Sequence, residues 1–174
     1  MKEQLIATYM STAKLFAELS HARRLKVGAI IVKDNRIISI GYNGMPSGWD
    51  NNCEDVQWMS ADAGQWFSPD EIAVEWPFED DFVDPDGNKI PWRYRLVTKP
   101  EVLHAESNAI VKLARSNESG EGSDMFVTHS PCIECAKLIA QTGIKRVFYS
   151  QNYRDDSGIK FLKKSGVHVI FLES

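Results

Sequence analysis

Sulfur and imidazole are scarce in this chain, which holds three cysteines and four histidines in 174 residues. That is too little for a disulfide framework, and a reducing compartment, the cytoplasm, is the expected setting. No run of about 18 apolar residues occurs, so neither a membrane-spanning helix nor a membrane partner is expected. Met1-Lys2-Glu3-Gln4 opens an amphipathic helix and lacks the pattern of a signal peptide. Net charge is −4, which speaks against a polynucleotide partner. Basic residues are almost missing from 49–92. Lys89 stands there against twelve acids, so that stretch carries −11 and the remainder +7. A mildly basic body suits a small phosphorylated ligand as well as it suits plain solvation. The length fits one domain, 1–174, with a sizeable core.

The scarce residues are concentrated in two short stretches. One reads His104-Ala105-Glu106, the other Ser130-Pro131-Cys132-Ile133-Glu134-Cys135. Zinc favours thiolate and imidazole ligands in a tetrahedron, and a catalytic site keeps one position for water. His104, Cys132 and Cys135 supply three ligands and leave that position. Pro131 suits the first position of a helix with Ser130 as its cap, which sets both cysteines in one turn. The positive helix end favours the thiolates. Glu106, two residues beyond His104, stands beside the metal. Zinc lowers the pKa of bound water toward ~7, and the carboxylate can take that proton and pass it on. A structural zinc would usually bring a fourth Cys or His, and the only other cysteine is Cys53, in a different kind of segment. The order His-x-Glu … Pro-Cys-x-x-Cys is the recurring signature of zinc-dependent nucleobase deaminases.

Apolar residues Leu5, Ile6, Tyr9, Met10, Ala13, Phe16 and Ala17 recur at helical spacing. Residues 27–32 read as a buried strand, 33–36 as a turn and 37–42 as its hairpin partner. Arg23, Arg24 and Lys26 precede that first strand; they are placed to meet a phosphate, but a solvated cluster is the expected reading. Gly41-Tyr42-Asn43-Gly44-Met45-Pro46-Ser47-Gly48 is a tight loop in which Asn43 offers both donor and acceptor for a sugar hydroxyl or base edge. All five tryptophans fall in 49–97, an irregular acidic insertion without a sustained period. Beyond it, 105–115 reads as a helix, 125–128 as a strand, a helix carries the cysteines to about Gln141, 146–149 is a strand, 156–164 a helix and 167–171 a strand. Strands alternating with helices imply an α/β fold with helices on both faces of one sheet. His129 and His168 are expected to be structural.

Residues 26–32, the loop 41–48, His104-Ala-Glu-Ser-Asn-Ala-Ile110 and 130–144 resemble the deoxycytidylate deaminases of the cytidine deaminase-like superfamily. The resemblance covers most of the chain outside 49–97. It implies a three-layer α/β/α sandwich with a five-stranded mixed sheet. It implies hydrolysis of dCMP to dUMP and ammonia, with one catalytic Zn2+ per chain on His104, Cys132 and Cys135 and with Glu106 as proton shuttle. The Ala105 N–H would meet the base carbonyl, the Ser130 carbonyl the leaving amine, Asn43 the sugar or phosphate, and Tyr153 would stack on the base. It further implies a homohexamer activated by dCTP and inhibited by dTTP, with Mg2+ accompanying the triphosphate. Asn43, Gly44, Met45, Pro46 and Gly48 would form the effector site, with Lys26 and Arg115. The alternatives are a deaminase of tRNA adenosine or of free nucleosides, or a catalytically silent nucleotide-binding zinc protein.

Overall fold

In a computed structural model the chain is described over residues 2–60, 66–67 and 92–173. Four helices and eight strands follow in the order α1 (Glu3–Ala17), β1 (Gly28–Lys33), β2 (Arg36–Tyr42), β3 (Glu54–Ser60), β4 (Trp66–Phe67), β5 (Trp92–Thr98), α2 (Ala105–Leu113), β6 (Asp124–His129), α3 (Ile133–Gln141), β7 (Arg146–Gln151), α4 (Ser157–Lys164) and β8 (His168–Phe171). The main sheet is five-stranded in the order β2-β1-β6-β7-β8. It is mixed: β1 runs antiparallel to β2 and β6, while β6, β7 and β8 are parallel. The β1–β2 hairpin closes through Asp34 and Asn35, both at positive φ (50° and 58°), the two-residue turn whose twist matches the flanking strands.

Side chains alternate across the central strands, as the strand period of two requires. Ile30, Val32, Phe126 and Phe148 face α1, where Tyr9, Met10 and Ala13 complete one core layer. Phe126 and Phe148 stack there with ring centroids 4.5 Å apart. Ala29, Ile31, Met125, Val127, Val147 and Tyr149 face the other way, against Ala105 and Ala109 of α2, Ala136 and Ile139 of α3 and Leu162 of α4. The result is the expected three-layer α/β/α arrangement. Two glycines permit its closest approaches: a methyl at Gly28 would run into the Ala13 carbonyl, and one at Gly41 into the Ala105 carbonyl. Among the described residues no helix is long and apolar enough to cross a membrane.

The stretch 49–97, in which the sequence shows no period, holds a second sheet of three antiparallel strands in the order β4-β3-β5. Its register pairs Glu54 with Thr98, directly before the segment that carries His104. Most of the acidic load and the side chains of four of the five tryptophans in that stretch, all but Trp49, lie outside what the structure describes.

Candidate active site

His104 is the N-cap of α2 and Cys132 the N-cap of α3, both in extended backbone conformation. This corrects the expected cap. Ser130 does not cap the cysteine helix; its Oγ instead accepts from the Tyr153 N–H at 2.7 Å, and its own N–H donates to the Gln151 carbonyl at 2.9 Å. Ser130 thereby fastens the start of the cysteine loop to the chain leaving β7. Cys135 lies in the first turn of α3, so the orphan N–H groups of two helices converge on one point. Gly158 of α4 lies against the Pro131 carbonyl, where any side chain would collide, so α4 is packed tightly on the cysteine loop.

The ligand atoms of His104, Cys132 and Cys135 lie within 4.8 Å of one another. His104 Nδ1 is 3.5 Å from Cys132 Sγ and 3.4 Å from Cys135 Sγ. Zinc bonds of about 2.0 Å to nitrogen and 2.3 Å to sulfur, at tetrahedral angles, place those atoms about 3.5 Å apart. The three residues therefore fit a zinc ion, with Nδ1 as the imidazole ligand. Hydrogen bonding from Cys135, then from His104, brings the Cys132 thiol down to about 3, while the same partnership and burial push the Cys135 thiol up. The hydrogen bond with Cys132 raises the His104 imidazole.

Glu106, in the first turn of α2, is only 4 % exposed. Burial raises its carboxyl above the ordinary value, and a hydrogen bond from Cys135 opposes that shift. A carboxyl of raised pKa beside a metal site is suited to taking up and releasing a proton.

A cavity joins these residues to others far away in the sequence. Glu106, His104, Cys132, Ala105, Ser130 and Tyr153 border it together with Asn43. Ala105 is fully buried at the first position of α2, with its N–H among the helix's orphan donors. Asn43 is committed to the protein: Oδ1 accepts from the Val27 N–H and Nδ2 donates to the Leu25 carbonyl, both at 2.8 Å. Its side chain locks the entry to β1 and keeps one N–H and one lone pair beyond these two bonds. The remaining loop residues lie elsewhere. Gly44 pairs with Leu103 through two backbone hydrogen bonds. Met45 packs against Ala22, Cys53 and Val102. Pro46 and Gly48 lead out of the loop, Lys26 faces Glu18 at 3.5 Å on the surface, and Arg115 is exposed beyond α2; none of these borders the cavity.

Arg24, expected in a solvated cluster, and His129, expected to be structural, also border the cavity, as do Glu54 and Thr98, which no sequence signal singled out. Arg24 Nη1 donates to Thr98 Oγ1 at 3.1 Å, so it belongs to the wall as well as to the solvated cluster expected of it. His129 Nδ1 lies 3.0 Å from Thr128 Oγ1, which itself accepts from the Gly28 N–H. Burial keeps that imidazole below its ordinary pKa, against a bond to Gln151. No local signal could have found Glu54 or Thr98, since only strand pairing brings them together.

The family model for the cytidine and deoxycytidylate deaminase zinc-binding region matches residues 3–151. The chain belongs to the cytidine and deoxycytidylate deaminase family. Within this family it is 36 % identical over 154 residues to the deoxycytidylate deaminase of Enterobacteria phage T4, covering 84 % of this chain and 78 % of that one. It is 38 % identical over 149 residues to the deoxycytidylate deaminase of Homo sapiens, covering 84 % and 65 %. The dCMP deaminase of cyanophage S-TIM5, solved in complex with dCMP and dUMP, superposes with a TM-score of 0.74 at 40 % identity over 99 % of both chains. The deaminase fold, the mixed sheet and the His/Cys/Cys group thus coincide with family membership.

Proposed function

We propose that this chain is a zinc-dependent dCMP deaminase, which exchanges the C4 amine of the cytosine ring for oxygen from water and releases ammonia. The observation that carries this reading is a zinc-compatible His104/Cys132/Cys135 group with the buried Glu106 carboxylate in the same cavity, in a chain 36–40 % identical to proteins named for this activity. Bound zinc would supply the Lewis acidity that makes water a nucleophile at neutral pH. Glu106 accepts a proton at its carboxylate and returns it to the departing nitrogen, so one side chain serves both halves of the exchange. The Ala105 N–H holds the base carbonyl, the Ser130 carbonyl receives the amine, and the Tyr153 ring, half-buried at the cavity wall, covers the base. Arg24 meets the phosphate, which favours a nucleotide over a nucleoside.

Regulation belongs to the same proposal. The loop 41–48 would receive dCTP, with Mg2+, or dTTP in a homohexamer. The support is its resemblance to the family's effector loop and its direct tie, through Gly44 and Leu103, to the residue before ligand His104. We read the whole of 1–174 as one catalytic domain acting in the cytoplasm. The test is ultraviolet-monitored deamination of dCMP, deoxycytidine and dCTP, each with and without dCTP or dTTP as effector. Turnover of dCMP that rises with dCTP and falls with dTTP is expected. No turnover by a zinc-loaded protein would sink the catalytic reading, and an effector-independent saturation curve would sink the regulatory one.

A further inference from the structure

Glu54 is the first residue of β3 and is 1 % exposed, yet it borders the cavity that holds His104 and Glu106. Its Oε1 accepts from the backbone N–H groups of Arg23 and Arg24, at 3.0 and 3.1 Å. Among the described residues its Oε2 has no hydrogen bond, and Arg23 Nε stands 3.6 Å from it. A buried carboxylate oxygen left without a donor is costly, and native structures hold few such groups, each with a functional role or an ordered water or ion to account for it.

The polar residues around the cavity form two contact groups. His104, Cys132, Ser130 and Tyr153 belong with the metal site. Arg24, Thr98 and Glu54 are tied to one another through hydrogen bonds and strand register. A nucleotide also has two polar parts. The base amine must go to the metal group, which leaves the sugar and phosphate for the other. A carboxylate repels phosphate and accepts from hydroxyl, while a guanidinium does the reverse. In a deoxynucleoside 5′-phosphate the one free hydroxyl is on C3′.

Resting on the proposed function, we infer that Glu54 is a specificity-determining residue whose Oε2 accepts a hydrogen bond from the substrate's 3′-hydroxyl. The competing role is purely structural, a tether for the 23–24 backbone. The two roles separate in the ratio of kcat/KM for dCMP to that for 2′,3′-dideoxycytidine 5′-monophosphate, which lacks only that hydroxyl. The wild-type ratio should be on the order of 10 to 100, the worth of a buried hydrogen bond to a charged acceptor. Glu54→Gln keeps an acceptor for the two backbone N–H groups and should bring the ratio below about 5 by removing that charge. A wild-type ratio near one overturns the inference, and so does a Glu54→Gln protein that slows both substrates equally. Should Glu54→Gln not fold, Glu54→Asp keeps the charge, shortens the reach, and is expected to lower the ratio in the same way. Should the wild-type protein deaminate neither nucleotide, the functional reading fails separately. Calorimetric binding of the two nucleotides to the zinc-loaded protein then decides, with equal affinities overturning the contact and a preference of roughly tenfold for dCMP upholding it.

Discussion

The two groups of side chains around the cavity are held by different kinds of structure. His104, Glu106, Cys132 and Cys135 sit on the first turns of two helices whose inner faces, Ala105, Ala109, Ala136 and Ile139, are fully buried against the main sheet. Arg24, Glu54 and Thr98 are held by a second, smaller sheet and by a loop, over a small apolar cluster of Ala22, Cys53 and Val102. The difference matches the demands of the two tasks. Chemistry requires reacting groups fixed within fractions of an ångström, which packed helix starts provide. Recognition of a sugar and phosphate tolerates a looser frame, and it is where specificity can change without loss of the reaction.

The contrast is broken most severely at the ligands. Cys135→Ala should abolish zinc in metal analysis and reduce turnover to background, because two ligands do not hold a catalytic zinc. Glu106→Gln should keep the zinc and lower kcat by about 10²–10⁴-fold; loss of the metal along with activity would show that Glu106 serves the site's structure instead. On the recognition side Arg24→Ala should raise KM for dCMP by roughly 10- to 100-fold with kcat nearly intact, from loss of a charged hydrogen bond to phosphate. Deoxycytidine, which has no phosphate, should respond little, and an equal response would place Arg24 outside the phosphate site.

Smaller effects test the frame itself. Gly158→Ala forces a methyl into the Pro131 carbonyl, and should cost about 1–3 kcal/mol in denaturant unfolding; an unchanged midpoint would mean that α4 does not brace the cysteine loop. The smallest effect concerns His129. The unfolded imidazole takes up a proton below about pH 6.5, whereas burial keeps the folded one neutral to lower pH. Unfolding therefore binds a proton on acidification, and stability falls as pH drops from about 6.5 to the folded value. His129→Gln should lose less Tm between neutral and mildly acid pH than the wild type, and parallel curves would reject this account.

The sequence made the chemical half of the site legible because its determinants are local. Cys132 and Cys135 share a turn whatever the rest of the chain does, and a His-x-Glu at a helix start sets the imidazole and the carboxylate on neighbouring positions. The order of helices and main-sheet strands was equally readable, since their apolar periods of 3.6 and 2 are strong. The 49–97 stretch resisted reading because the alternation in β3 (Val56, Trp58) and β5 (Trp92, Tyr94, Leu96) is short and the two strands lie more than thirty residues apart in the chain, so that only their pairing with one another defines the sheet. Asn43 and Ser130, expected at the substrate, do border the cavity, while the expected Ser130 cap and the side-chain bonds of both residues show how little of this is local. An amide or hydroxyl has several partners within reach, and only the fold selects among them.

By itself, then, the sequence marked out the candidate metal ligands, the carboxylate proposed to handle the proton and the layered α/β architecture, each specified by contacts close along the chain or by periodicity. Only the tertiary structure decided that Glu54 and Thr98 pair in register beside Arg24, that Asn43 spends its amide on Leu25 and Val27, and that all of them border the cavity of His104. Those placements depend on strand pairing across long loops, and no pattern within a short window of residues encodes them.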